Sequence, residues 1–219
     1  MSQSSSTSGD PGSPLHEVGD VTEASPSTPD QRLIAAAEAQ FRRFGYKRTT
    51  IDDITAGAGT GKGSLYLHFP SKQAVYLAVV EASLERFVEA ASRLVDGPDP
   101  VPTRLRSLVE LTIRHYGEDE LLSASLFGRS GLVEGEVARV AADVQRERIR
   151  SLLRELLVIG QREGSVRANI DVDAAAAVLF ELGWAVVRSA LEGDHPIPLD
   201  RALKTLNELV GLGLLPRNG

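Results

Sequence analysis

From residue 30 onward the apolar side chains of this chain return every three to four positions, and no stretch alternates them with polar ones as a strand would. The pattern predicts about nine helices. The first runs from a cap at Asp30 to about Phe44, with Leu33, Ile34, Ala37, Phe41 and Phe44 on one stripe and Gly45 as its terminating glycine. Two short helices follow, one capped by Thr50 with Ile51, Ile54 and Ala58 on its apolar side, the other from Gly61 to Leu67. Pro70 and Ser71 stop that helix and cap a long one to about Val95, whose apolar face includes Val75, Leu84, Phe87 and Leu94. After the break at Gly97-Pro98-Asp99-Pro100 come segments at about 103–116, 118–127, 134–162, 171–191 and 200–212, with Asp171 and Asp200 as caps of the last two. The fold class is all-α.

Residues 1–30 lack the pattern. They are rich in Ser, Gly and Pro and hold five acidic groups with no Lys or Arg, which predicts a disordered acidic tail. A first domain is expected over 31–77 and a second, larger one over 78–215, with the long helix acting as a lever across the boundary. The net charge of −6 conceals an uneven distribution: residues 31–80 carry seven basic against three acidic groups, while the tail and residues 81–219 each carry −5. Positive charge is thus gathered where phosphate contact would need it. The chain has no cysteine, which excludes disulfides, thiolate catalysis and cysteine-ligated metals. The four histidines (His16, His68, His115, His195) show no ligand spacing, so no metal, cofactor or catalytic constellation is expected. No apolar run reaches the roughly 18–20 residues of a membrane span, and the N-terminus lacks a basic-then-apolar leader, so a cytoplasmic location without membrane association is expected.

The richest stretch is Thr49 to Lys72, TTIDDITAGAGTGKGSLYLHFPSK. Gly57 and Gly59 allow a sharp reversal between the two short helices, and Lys62, Ser64, Tyr66 and His68 fall at or near the exposed side of the second. Two short helices joined by a glycine-rich turn make a helix-turn-helix, whose second helix is suited to a DNA major groove. The run Gly59-Thr60-Gly61-Lys62-Gly63-Ser64 superficially resembles a phosphate-binding P-loop. That motif needs Gly where Ala56 stands, Ser or Thr where Gly63 stands, and a strand before it. With no nucleophile–base pair either, an enzyme is set aside. A helix-turn-helix protein acting mainly through a protein partner is the alternative.

Gly45 to Lys72, G-Y-K-R-T-T-I-D-D-I-T-A-G-A-G-T-G-K-G-S-L-Y-L-H-F-P-S-K, is similar to the DNA-binding signature of TetR-family transcriptional regulators. The glycine before the T-T pair, the L-Y-x-H-F ending and the following S-K all stand in the family order. The resemblance spans about residues 31–78. Beyond it the agreement is in helix number and length. It implies a homodimer that binds a palindromic operator in double-stranded DNA, represses or less often activates nearby genes, and releases DNA when a small effector binds. It places Thr49 and Thr50 at the start of the second helix, their backbone N–H groups toward a phosphate. Tyr66, His68 and Lys72 would touch the phosphate backbone, with Arg48 and Ser64 in the same surface. Lys62, beside Thr60, Gly61 and Gly63, would read bases. Position 61 is usually Ser or Thr in the family, so Gly61 is a departure that bears on which bases are read.

The resemblance further implies a mostly apolar effector cavity near Arg114, His115, Tyr116, Phe127 and Trp184, suited to a hydrophobic or amphipathic molecule. It implies a four-helix dimer interface from the last two helices, with Phe180, Gly183, Trp184, Val187, Leu203, Leu206 and Val210. Such a dimer would set two recognition helices about one DNA turn, roughly 34 Å, apart. For His115 and Trp184 an ordinary core role stands beside these. Glu118-Asp119-Glu120 is expected to be a solvated helix start.

Overall fold

The computed structural model describes residues 28–128, 131–193 and 197–215. The expected tail up to residue 27, with His16, and also His195 lie outside them. Among the described residues there are nine α-helices and no strand.

Helix α1 (Pro29–Arg48) begins before Asp30. Thr28 caps it, Pro29 takes the first helical position, and the Thr28 N–H donates to Gln31 Oε1 at 3.2 Å. Asp30 sits in the first turn instead of capping it, and the expected tail boundary moves back accordingly. Gly45 interrupts the helix with φ 77, as its position predicted. It also needs to be small: a Cβ there would lie 3.1 Å from the Leu132 carbonyl oxygen.

Helices α2 (Ile51–Gly57) and α3 (Lys62–His68) pack on α1, and α4 (Lys72–Val95) follows from a cap at Ser71, whose hydroxyl accepts the Ala74 N–H. The first turns of α4 bury Val75, Tyr76 and Val79 beneath α1, where Phe41 and Tyr76 meet edge to face. Its later turns bury Leu84, Phe87 and Ala91, and α4 packs on α7 (Gly135–Arg162) and α5 (Val101–Glu118). One helix therefore carries a continuous apolar core from the first unit into the second. Helix α5 starts earlier than expected because Pro102 is tolerated in a first helical turn.

The far end of α4 is fastened by the buried Arg104, which donates to the Val95 and Asp99 carbonyls and pairs with Glu163 after α7. Helix α8 (Val172–Glu192) packs mainly on α7 and α5, and α9 (Leu199–Leu214) closes over α5 and α8. Pro198 and not Asp200 precedes α9, and Asp200 occupies its first turn. By length and composition α8 is apolar enough to cross a membrane. In the fold its apolar groups divide into two faces: Ala176, Phe180, Trp184 and Val187 are buried, whereas Val178 and Leu182 are exposed.

Candidate nucleic-acid interface and internal cavity

The hydroxyl of Thr50 accepts the Asp53 N–H at 3.2 Å, and the Asp53 carboxylate takes the Thr50 N–H at 2.8 Å, so α2 is capped reciprocally. The turn after it is made by Gly59 in the left-handed region (φ 64), closed by Thr60 N–H donating to Thr55 O at 2.9 Å. Gly57 stays helical. A Cβ there would make only ordinary contact with that of Ala36, at 3.4 Å. Gly61 caps α3 through its backbone alone, and Leu65 is the side chain that pins α3 to the core.

Lys62, Gly63, Tyr66, Leu67 and His68 are exposed on α3, and Ser64 and Thr60 are half-buried. Nothing stands within 4 Å of a Cβ at Gly61 or Gly63, so the first turn of α3 is bare backbone facing open space. Two residues beyond the expected set share this surface. Leu67 is 86% exposed, and Asp52 on α2 holds Lys62 Nζ at 2.9 Å. That carboxylate, through its hydrogen bond and its charge, pushes the Lys62 ammonium above its ordinary pKa. Arg48 is exposed, with Nε donating to Phe44 O at 2.9 Å.

Three expected phosphate contacts are instead engaged in the fold. Thr49 is buried, its hydroxyl and N–H both directed to the Gly45 carbonyl. The Thr50 N–H belongs to Asp53. Lys72 Nζ donates to Tyr46 O at 2.8 Å and to Thr49 O at 2.9 Å, lies 4.4 Å from the Tyr46 ring centre, and is pushed by burial below its ordinary pKa. These residues hold the α1–α2 connection in place. Spacing cannot distinguish a lysine that reaches outward from one that folds back over the preceding turn.

Helix α6 (Glu120–Phe127) joins this unit to the rest of the molecule. Asp119, expected to be solvated, is buried as its cap. One carboxylate oxygen accepts the Leu121 and Leu122 N–H groups; the other accepts the Ser83 hydroxyl and lies 3.1 Å from Arg42 of α1. Burial would raise its pKa, but the Ser83 hydroxyl, the Leu122 N–H and Arg42 outweigh that and hold it below the ordinary carboxylate range. A second tie comes from the Tyr46 N–H, which donates to Leu132 O at 2.6 Å.

A partly open apolar pocket of about 70 Å³ lies between α5, α7, α8 and α9, with Phe87 of α4 in its wall. Of the five residues expected there, Trp184 alone lines it. Arg114 is exposed. His115 packs on the Phe87 ring, and burial pushes its pKa down. Tyr116 is buried and donates to Gln145 at 2.9 Å, and Phe127 stacks on Trp184 at 4.7 Å. All seven residues expected at the dimer interface (Phe180, Gly183, Trp184, Val187, Leu203, Leu206 and Val210) line this cavity. The apolar side chains that α8 and α9 leave exposed are Val178, Leu182, Leu209 and Leu212.

A short, open, partly cationic helix mounted on a glycine turn, and tied through α4 and α6 to an all-α domain with its own cavity, defines a helix-turn-helix regulator. The model of the bacterial regulatory proteins of the tetR family matches residues 33–79. Residues 33–79 thus carry the DNA-binding domain of these transcriptional regulators, which are DNA-binding proteins and not enzymes. It is 29% identical over 187 residues to the HTH-type transcriptional repressor DhaR of Mycobacterium sp. GP1, covering 81% of this chain and 90% of that protein. It is 28% identical over 185 residues to the transcriptional repressor KstR2 of Rhodococcus jostii RHA1, covering 83% and 89%. The fold matches the transcriptional regulator FadR of Bacillus subtilis, solved in complex with stearoyl-CoA, with TM-score 0.62 at 19% identity over 83% of this chain and 97% of that one.

Proposed function

We propose that the protein is a cytoplasmic, homodimeric repressor that binds a palindromic operator through α3 and is released by a small hydrophobic or amphipathic effector. The observation that carries this is the α3 surface, where Lys62, Tyr66 and His68 stand exposed around the bare backbone of Gly61 and Gly63. Tyr66, His68 and Arg48 position the helix on the phosphate backbone, and Lys62 exchanges Asp52 for a base edge. Dimerisation is supported by the exposed apolar groups of α8 and α9, now assigned to Val178, Leu182, Leu209 and Leu212. Release follows if an effector in the second domain shifts α4 or α6, since α4 starts beneath α1, Asp119 at the cap of α6 holds Arg42, and Leu132 after α6 accepts the Tyr46 N–H. Such a shift requires different effector affinity for the two arrangements.

The test is capture of genomic fragments by the purified protein near physiological salt, with Tyr66→Ala as control. A discrete palindromic site, lost in the variant, is the expected result. Diffuse, salt-sensitive recovery in both would refute sequence-specific binding by α3.

A further inference from the structure

Leu67 is 86% exposed, more than any other large apolar side chain among the described residues. Isolated exposed leucines are common on protein surfaces. What distinguishes this one is its place on α3. At about 100° of rotation per residue, Gly63 and Leu67 each stand about 160° round the helix from Leu65, the side chain that pins α3 to the core. They share the face turned outward. Lys62 and Tyr66 flank that face on one side, Ser64 and His68 on the other. Gly63 has no side chain, and nothing stands within 4 Å of a Cβ built there, so a surface can close on the helix until it meets Leu67. The hydrogen-bonding side chains of α3 therefore lie along its two edges, where Asp52 holds Lys62 at 2.9 Å, and the crest between them is apolar.

We propose that Leu67 is a base-reading residue that selects thymine through its C5 methyl group in the major groove. This rests on reading α3 as the DNA-contacting helix, and adds a specificity residue and the base it selects. A helix laid in the groove sets its edges toward the phosphate walls and its crest toward the base edges. The other groups displayed there are hydrogen-bonding nitrogens and oxygens, which a leucine would strip of water without replacing it. The thymine methyl is the one apolar group among them, so the contact favours thymine, and removing that methyl isolates it.

The operator recovered by genomic capture is used with the full-length protein and its Leu67→Ala and Leu67→Met variants. Each thymine of the site is replaced in turn by deoxyuridine, which keeps the base pairing and removes only the methyl, and binding is followed by fluorescence anisotropy. One thymine in each half-site should prove sensitive, its replacement weakening binding by about fourfold, as burial of one methyl group allows. In Leu67→Ala that position should tolerate deoxyuridine, with weaker binding to the unaltered operator and an unchanged thermal melt. Leu67→Met, which keeps a long apolar side chain, should retain the sensitivity. A site in which every thymine tolerates the replacement, or a sensitivity that survives in Leu67→Ala, overturns the role of Leu67, while the recovered operator keeps the α3 reading intact. Operator binding unchanged in Leu67→Ala overturns it too, and leaves the exposed leucine to a protein contact. Failure to recover a discrete operator overturns both.

Discussion

Replacing Asp119 by Ala isolates the junction between α1 and α6. The carboxylate caps an eight-residue helix through two backbone N–H groups and binds the Ser83 hydroxyl and Arg42 on other helices. Loss of a cap costs about 1 kcal/mol, and loss of a hydrogen bond to a charged group about 1.5–3 kcal/mol. Arg42 keeps Glu38 at 2.8 Å, so it is not left as an unpaired charge, and a total of about 3 kcal/mol is expected. For a chain of this size that lowers the midpoint of thermal unfolding by about 6–12 °C. Asp119→Asn retains capping capacity and loses the ion pair, and should fall about halfway. The pH dependence has a defined sign. Because the folded pKa of Asp119 is depressed, its ionic contribution is present above the unfolded value near 4 and is lost as pH falls through the folded one. Urea melts of the unaltered and Ala proteins should therefore keep a constant gap from about pH 7 to pH 5, narrowing below about pH 4. A gap under about 1 kcal/mol at pH 7, or one that widens in acid, would refute the network as described.

Other expectations follow from single contacts. Lys72→Met removes two charge-assisted hydrogen bonds to the Tyr46 and Thr49 carbonyls and should destabilise the fold by about 2 kcal/mol in urea melts. Tyr66→Ala, at a half-exposed ring, should leave the melt within about 0.5 kcal/mol and weaken DNA binding across sequences with the salt slope unchanged, because the phenol is uncharged. A melt that ranked these two variants in the opposite order would exchange their roles. Gly160→Ala would set a Cβ 2.5 Å from a Val166 methyl and 2.8 Å from a Val101 methyl, an overpacking of about 1–3 kcal/mol visible as a lowered melting midpoint. Leu209→Arg with Leu212→Arg should convert a dimer to a monomer in sedimentation equilibrium, while Val178 and Leu182 on the neighbouring helix keep their exposure. A variant that sediments like the unaltered protein would place the interface elsewhere.

Helix number, helix order and the helix-turn-helix were legible because each rests on local chemistry. Thr50 with Asp53, Ser71 before Ala74 and Gly59 in the turn act within a few residues of themselves, and their spacing in the sequence states what they do. The errors lie where a side chain has two directions open to it. Lys72 could have pointed outward and folds back on the Tyr46 ring. Asp119 sits in an acidic run typical of solvated helix starts, and its burial is decided by Arg42, 77 positions away in the chain. The first helix was misplaced at its start because two adjacent capping signals compete, and Thr28 followed by proline prevails over Asp30.

The last two helices show how residues expected at a dimer interface can line a pocket within one chain. On α9, Leu203, Leu206, Asn207 and Val210 recur at helical spacing and face the cavity, while Leu209 and Leu212 form a second stripe turned outward. On α8 the same division separates Phe180, Trp184 and Val187 from Val178 and Leu182. A helix with one apolar stripe declares which face is buried; a helix with two declares only that both meet something. The inward stripe is fixed by α5 and α7, which no local pattern on α8 or α9 encodes. The two stripes of α9 also share one rigid backbone. A ligand too large for the space between Leu206 and Trp184 can be admitted only by moving α9 as a body, and Leu209 and Leu212 move with it. Cavity and outer apolar face are therefore opposite sides of one structural element.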